Sequence, residues 1–352
     1  MNNPAGFSAG PGSTPGLKTR SLFESMNRVP NVSRHSGIRP SACSAACLIL
    51  SAGALAANSV LISVATPARA EPMRPPLRFV LVPKVGHPWF EEVRQGALAA
   101  GRMITAETGR PVRVDYQPPA QASIEQQQLV LSRAIASKPD GIFIDLLDSS
   151  RLTPLLRQAR AEGIRLAVFD SEAPSDLPII SVGNDYCQQA TLASERLVKL
   201  LGGQGEVAIM QGVPTAPNHA IRFRCHQEVL RRYPGIKVVA TPMDQDDIAT
   251  AERQALVTMK AHPGLRGWVA SDASGPIGIG RAIRSLGDQR RVQAVGLDDL
   301  PELVALIRGG VVQSSVATKP KAQGYWAVLA LWQQQLGAPL IERIDTGITV
   351  VE

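Results

Sequence analysis

Four apolar stretches of this sequence run directly into an aspartate: Phe143-Ile-Asp145, Val168-Phe-Asp170, Val269-Ala-Ser-Asp272 and Val295-Gly-Leu-Asp298. An ionised carboxylate only accepts hydrogen bonds and has room for several, so a group of them suits a ligand rich in hydroxyl or amino donors. One such aspartate alone is more simply the N-cap of the helix that follows it. Four at equivalent strand ends predict a rim of acceptors around a single crevice. Residues for other chemistries are lacking. His219, His226 and His262 have no Cys or His partner at metal-ligand spacing and are expected at the surface. Gly275, Gly278 and Gly280 form GPIGIG, which is not G-x-G-x-x-G and predicts close helix packing rather than a nucleotide loop. No G-x-S-x-G, phosphate-binding P-loop, H-E-x-x-H or nucleophile–base pair is present. Binding without catalysis is expected, with no cofactor and no metal.

The elements that must hold those aspartates alternate in type. Arg78–Val82, Val112–Tyr116, Gly141–Asp145 and Ile164–Phe169 read as strands. Helices open at Pro88, with Glu91 and Glu92 in the first turn, at Ser123, with Gln126 completing a possible capping box, and at Ser149, ending by Gly163. The rhythm repeats with strands at Val207–Met210, Ile236–Ala240, Gly267–Ala270 and Val292–Val295. Helices lie near Gln188–Leu201, Asn218–Arg232, Ile248–Ala261 and Gly275–Leu286. Short apolar runs between helices of this length predict βαβ units and parallel sheets buried on both faces.

The front of the chain has a different character. Residues 1–40 are polar and carry Lys18, Arg20, Arg28, Arg34 and Arg39 against Glu24, and Ser41–Thr66 holds no charge. Small residues follow at Ala68-Arg69-Ala70, so 1–70 reads as a cleaved secretory signal peptide; the alternative is a membrane anchor. Met26 offers a more ordinary start than Met1, and Cys43 and Cys47 precede most of the apolar run, where a lipoprotein cysteine would not sit. The leader holds six of the 37 Lys+Arg and one of the 30 Asp+Glu, which leaves 31 against 29, a net of +2. The basic balance of the whole chain therefore gives no argument for nucleic acid. Cys187 and Cys225 remain for an oxidising compartment; they form a disulfide or are two small buried residues, and the sequence leans to the second.

The segments LVPKVGHPWFEEVRQGALAAG, KPDGIFID, AVFDSEAP, SVGNDY, a helix holding Arg222 and Arg224, GWVASDASGPIGIGRAI and AVGLDDLPELVALIRGG follow one another across residues 77–351. Their ordered set resembles the type I periplasmic sugar-binding proteins, the ribose-binding branch especially. The resemblance implies an α/β fold of two similar doubly wound parallel-sheet lobes, joined by three crossovers and closing on ligand. Lobe one is then 76–181 plus 319–346, and lobe two 182–318 plus 347–352. Residue by residue, His87-Pro88-Trp89-Phe90 matches a polar-Pro-aromatic-aromatic turn in which the polar group touches ligand and the aromatics cover a sugar ring. Asp145 stands where many members have Asn, and Asp170 matches the carboxylate after the fourth strand. Arg224, or Arg222 two residues before it, matches an arginine reaching in from lobe two. Asp272 falls where Asn or Asp is common, Asp298 matches an aspartate after a Val-Gly-hydrophobic triplet, and Thr318 stands where Gln or Asn is usual.

Those choices also make chemical sense alone: a sugar hydroxyl donates to a carboxylate and accepts from an arginine, and the apolar ring face needs a flat partner. Trp89 and Phe90, at the start of a helix, could simply be core, and the resemblance favours one of them facing the ligand. Ser171 replaces a second arginine, Gln245 replaces a capping aromatic, and Pro83 and Lys84 replace small polar residues. With four aspartates and one arginine, an amino or cationic ligand is an open variant. The expected protein is a monomeric periplasmic receptor for a small polar ligand, foremost a monosaccharide. Its membrane partner is the permease of an ABC-type importer, or alternatively a membrane sensor. The lobes are expected to flex near Ser181, Thr318 and Gly347.

Overall fold

The structure, a computed structural model, describes residues 75–352; the expected signal peptide and its cysteines lie outside the described residues. The first half runs β1 (Leu77–Val82), α1 (Pro88–Thr108), β2 (Val112–Tyr116), α2 (Ile124–Ala136), β3 (Gly141–Ile144), α3 (Ser149–Ala161), β4 (Arg165–Phe169) and β5 (Ile180–Gly183). The second runs α4 (Tyr186–Leu201), β6 (Gln204–Met210), α5 (Pro217–Leu230), β7 (Gly235–Ala240), α6 (Ile248–Ala261), β8 (Leu265–Ala270), α7 (Gly275–Leu286), β9 (Gln293–Leu297), α8 (Pro301–Arg308) and β10 (Ser314–Ala317). Helix α9 (Pro320–Gln335), β11 (Arg343–Asp345) and β12 (Thr349–Val351) complete the chain. Among the described residues no helix is long and apolar enough to cross a membrane.

Two six-stranded sheets result, ordered β11-β5-β4-β3-β1-β2 and β12-β10-β9-β8-β6-β7. Exchanging β1 to β5 for β6 to β10 converts one order into the other, so the protein is two similar doubly wound lobes. The end strands break the likeness: β11 pairs parallel to β5, whereas β12 pairs antiparallel to β10. The chain passes between lobes three times, after β5, after β10 and between β11 and β12, where Gly347 takes φ 74°.

Each strand of the sheet centre is apolar toward both faces, as a parallel sheet covered by helices requires. Val80, Val82, Ile142 and Ile144 join Leu131, Ile135, Leu152 and Leu156 of α2 and α3 in one buried cluster. Phe79, Leu81, Phe143 and Phe169 belong to another cluster, with Val93 and Ala97 of α1 and Ala327 and Val328 of α9. Helix α1 crosses α9 at near backbone contact: a Cβ on Gly96 would lie 1.8 Å from the Lys321 carbonyl oxygen, and one on Gly324 1.9 Å from that of Val93. Glycine at both positions lets the start of α1, which carries Trp89, approach the crossover that carries Thr318. Gly278, read from sequence as a packing glycine, meets α6 in the same way, with Ala251 and Glu252 within 2.4 Å of its missing Cβ.

Cys187 of α4 and Cys225 of α5 form a disulfide, with Cα atoms 5.4 Å apart, so the reading of two independent buried cysteines is corrected. The helices are neighbours in space, and a separation of 38 residues carries no local signature of that. Closing a loop of this length removes about 3–4 kcal/mol of unfolded-chain entropy in the simplest treatment. The capping box at Ser123 forms by half: its hydroxyl accepts from the Gln126 N–H, while the Gln126 side chain accepts from the Gln121 N–H.

Candidate functional site

The carboxyl ends of β1, β3 and β4 lie side by side in the first sheet, which brings together the residues just beyond them, Lys84, Asp145 and Asp170. The carboxyl ends of β6, β8 and β9 do the same in the second lobe for Gly212, Ser271 with Asp272, and Asp298. These two edges face one another and touch. Lys84 Nζ is 3.0 Å from Asp145 Oδ2 within its own lobe, and 3.4 Å from Asn218 Oδ1 across the divide. Arg222 reaches from α5 to Asp170 Oδ1 at 3.2 Å, and Asn218 Nδ2 donates to Asp170 Oδ2 at 2.6 Å. Trp89 Nε1 donates to Asp298 Oδ1 and Thr318 Oγ1, both at 3.1 Å. His87 caps α1 by accepting the Trp89 N–H at Nδ1, and its Nε2 lies 3.2 Å from Ser274 Oγ of the other lobe.

Eight of the ten residues expected from sequence therefore meet in one buried crevice: His87, Trp89, Asp145, Asp170, Arg222, Asp272, Asp298 and Thr318. Arg224 does not. Its side chain is 63% exposed and pairs with Glu228 along the helix surface, because two residues of helix turn a side chain through roughly 200°. Of the two aromatics, Phe90 packs edge-on against Phe169 with ring centres 6.2 Å apart, in the core. Trp89 is the one whose polar edge reaches the opposite lobe. The N-cap reading applies in part to Asp272, which accepts the N–H groups of Ser274 and Gly275 at the start of α7.

Asp170 and Asp298 share a further property. Each follows the fourth strand of its lobe and each has left-handed backbone, with φ 41° and 68°. Non-glycine residues adopt that region at a cost and hold it where surrounding bonds dictate it. The Asp170 N–H donates to Val182 O and that of Asp298 to Val316 O, in both cases the neighbouring strand.

Several residues that line the crevice had no signal in the sequence. Lys84, noted only as a departure, is a fully buried cation. Burial alone would lower its pKa, but Asp145, Asp246 and Asp170 outweigh that and hold it above the usual lysine value. Burial pushes the Asp145 carboxyl well up, and Lys84 is the charge opposing the push. Arg222 is likewise raised against burial by Asp170 and Asp298. His219 and His226 are buried, contrary to the surface expectation, and His262 is half-buried. His226 is satisfied by Ser194 Oγ at 2.8 Å and Ala270 O at 3.0 Å, and burial first of all holds its pKa down to about 4. His219 Nδ1 accepts the Val213 N–H at 2.9 Å, so in the neutral ring Nε2 carries the hydrogen. That Nε2 lies 3.1 Å from Lys84 Nζ, so two donors point into the same space.

Asp244 and Asp246, in the loop after β7, complete the acidic side of the second lobe. Asp244 accepts the Asp246 N–H at 2.9 Å, and burial, then the charges of Asp272 and Asp246, push its carboxyl well above the usual range. Gln245, at the place of the missing aromatic, is exposed. Buried polar atoms without a protein partner include Ser171 Oγ next to Asp170, Ser271 Oγ next to Asp272, and Asp246 Oδ2.

The sequence profile of a family described as "periplasmic binding protein domain" matches residues 79–339. The D-ribose/D-allose-binding protein of Pseudomonas aeruginosa is 26% identical over 189 residues, 52% of this chain and 59% of that protein. The xylose/arabinose-binding protein XylF of Sulfolobus acidocaldarius is 24% identical over 235 residues, 62% of this chain and 58% of that protein. The chain thus spans less than two thirds of the length of either relative. Among solved structures, an ABC transporter solute-binding protein from Burkholderia graminis in complex with D-arabinose superposes with a TM-score of 0.73 at 29% identity, covering 79% of this chain and 95% of the other. GanP, a glucose-galactose binding protein from Geobacillus stearothermophilus, gives 0.72 at 26% identity, covering 79% and 97%.

Two outcomes follow from the buried charges. Lys84→Met leaves Asp145 without a counter-charge and should destabilise the fold by about 3–5 kcal/mol at neutral pH in chemical unfolding, less in acid as Asp145 takes up a proton. Asp272 is pushed up to about 7, by burial first and the Asp246 charge second, from 3.8. Between about pH 4 and 7 the folded state keeps a proton that the unfolded chain has released, so stability falls as pH rises through that window. Asp272→Asn should flatten that stretch of a melting-temperature profile, and an unaltered slope would place the proton elsewhere.

Proposed function

Because the chain belongs to the periplasmic binding protein domain family, we propose that it is an exported solute receptor that captures a monosaccharide between its lobes and delivers it to the membrane permease of an ABC-type importer. One observation carries the reading. The carboxyl ends of both sheets turn buried donors and acceptors toward a single crevice, with Lys84, Asp145 and Asp170 on one side and Arg222, Asp272 and Asp298 on the other. A polyhydroxy ligand suits such a wall, since each hydroxyl can accept from a cation and donate to a carboxylate. An oxygen accepting from both Lys84 Nζ and His219 Nε2 would also separate two donors that otherwise face each other. The indole of Trp89 offers the flat surface for the ring. The relatives named above are binding proteins, and a sugar-bound structure of an ABC transporter solute-binding protein is among them; they do not favour the sensory alternative.

Selectivity comes from contact with both lobes. A ligand shifts an open-to-closed equilibrium only by its differential affinity for the closed form, so a molecule touching one lobe does not drive closure. Lobe one, 76–181 plus 319–346, and lobe two, 182–318 plus 347–352, would hinge near Ser181, Thr318 and Gly347. Export through a signal peptide cut near Ala70, action as a monomer and the absence of catalysis belong to the same reading. The crevice has two buried cations where the sequence offered one arginine, and two further aspartates, 244 and 246, so amino sugars belong in any ligand screen.

The test is a thermal-shift screen of the chain from Glu71 against pentoses, hexoses, sugar alcohols and amino sugars, followed by titration calorimetry on each ligand that raises the melting point. A monosaccharide should bind, and Asp298→Ala should weaken it by at least about 2 kcal/mol while the protein stays folded. Unchanged affinity in that variant would remove Asp298 from the site. A panel in which no sugar shifts the melting point would count against the sugar reading itself.

A further inference from the structure

The half of α5 nearest the crevice is anchored in an unusual way. Of its buried residues Asn218, His219, Arg222 and His226 are polar, Cys225 is bonded to α4, and the apolar anchors Val229 and Leu230 come only in the last turn. Half-buried Phe223 is the one large apolar side chain of the nearer half that packs against the second-lobe core. Its N-cap, Ala216, offers no side-chain bond. What fixes the guanidinium is a chain of polar contacts leading to α4. Gln189 Oε1 accepts from Arg222 Nε at 2.8 Å, and Gln189 Nε2 donates to Val316 O, one residue from the end of β10. Tyr186, in the first turn of α4, lies beneath the guanidinium with its ring centre 5.0 Å away. The Cys187–Cys225 bridge joins these same two helices, one residue from Tyr186 and two from Gln189 on α4, and one helical turn beyond Arg222 on α5.

We propose that the Cys187–Cys225 disulfide is a positioning device for Arg222: it holds α5 on α4 so that the Gln189–Arg222 bond forms and the guanidinium points at Asp170. A helix whose working half is held to the core by one half-buried phenylalanine can slide or tilt at modest loss of hydrophobic burial, and a covalent tie one turn away removes that freedom. Cys187 is half-buried and Cys225 buried, so a dithiol reductant would reach the bond from the Cys187 side. Such a reductant supplies two electrons and two protons, leaves two thiols, and departs as its own cyclic disulfide. Binding competence would then be acquired together with the oxidising compartment, and reduced chain would bind poorly although folded.

The ligand-contact role of Arg222 rests on the proposed function, but its placement can be read without any ligand. In ¹⁵N NMR of the oxidised chain from Glu71, one arginine Nε–H signal should be slow to exchange and be lost in Arg222→Lys. In Cys187→Ala/Cys225→Ala that signal should exchange at least about tenfold faster, with the amides of the sheet strands β6 and β8 unchanged. Val229→Ala loosens the same helix at its far end with the bridge intact, and the signal should persist. An unchanged signal in the cysteine double variant, or its loss in Val229→Ala as well, overturns the proposal, since either would make the bridge a general stabiliser. Should the double variant fail to fold, dithiol reduction of the folded wild-type protein gives the same reading. With any sugar that the wild type binds, bridge removal should weaken affinity about tenfold, and by less than about twofold once Arg222 is already alanine. Equal losses in both backgrounds contradict a role through Arg222.

Discussion

Asp170 and Arg222 lie on opposite lobes, both withdrawn from water, 3.2 Å apart. A carboxylate or guanidinium removed from water loses several kcal/mol of hydration, which is recovered only through an opposite charge and further hydrogen bonds. Much of the crevice follows from that requirement. Arg222 takes Asp170, Gln189 and the face of Tyr186; Asp170 takes Asn218 as well; Lys84 answers Asp145. Where no cation is supplied, a proton takes its place, as the raised carboxyls of Asp244 and Asp272 indicate. The Arg222–Asp170 pair is compensated across the divide, whereas Lys84 and Asp145 answer each other within the first lobe.

Topology determines which residues can meet this way. In a doubly wound sheet the strands all point one way, so every loop after a central strand opens on the same edge. Duplication of that plan gives two such edges, and three crossovers at one side turn them toward each other. The likeness extends to backbone detail: Asp170 and Asp298 are left-handed at matched positions, each with its N–H on the neighbouring strand. The Gly96–Gly324 crossing contributes on the first lobe by drawing α1 onto α9, which lets Trp89 reach Thr318 and Asp298.

The parts legible in the sequence were those with a local cause. Strands β1, β3, β4, β6, β8 and β9 are apolar runs, and the aspartates after β3, β4, β8 and β9 stand out because four recur at equivalent strand ends. The hinge elements β5, β10, β11 and β12 are three or four residues long and too short for a periodic pattern. Helix α9 has Ala327 to Leu331 buried in succession, which erases the one-sided stripe that marks a helix. Asn218, His219, Gln189, Asp244 and Asp246 were not expected in the site because polar residues lie mostly at surfaces, and only the fold encloses them. Arg222 and Arg224 differ by a rotation about the helix axis that spacing alone leaves open. The disulfide likewise depends on α4 and α5 being neighbours.

The central claim is that one ligand engages both lobes and that this engagement closes them. The direct measurement is small-angle X-ray scattering of the chain from Glu71 through a titration with the monosaccharide that gives the largest thermal shift. The account predicts a fall in radius of gyration that saturates at the calorimetric stoichiometry and is absent in Asp298→Ala at the same sugar concentration. Binding that saturates while the radius of gyration stays constant would contradict it.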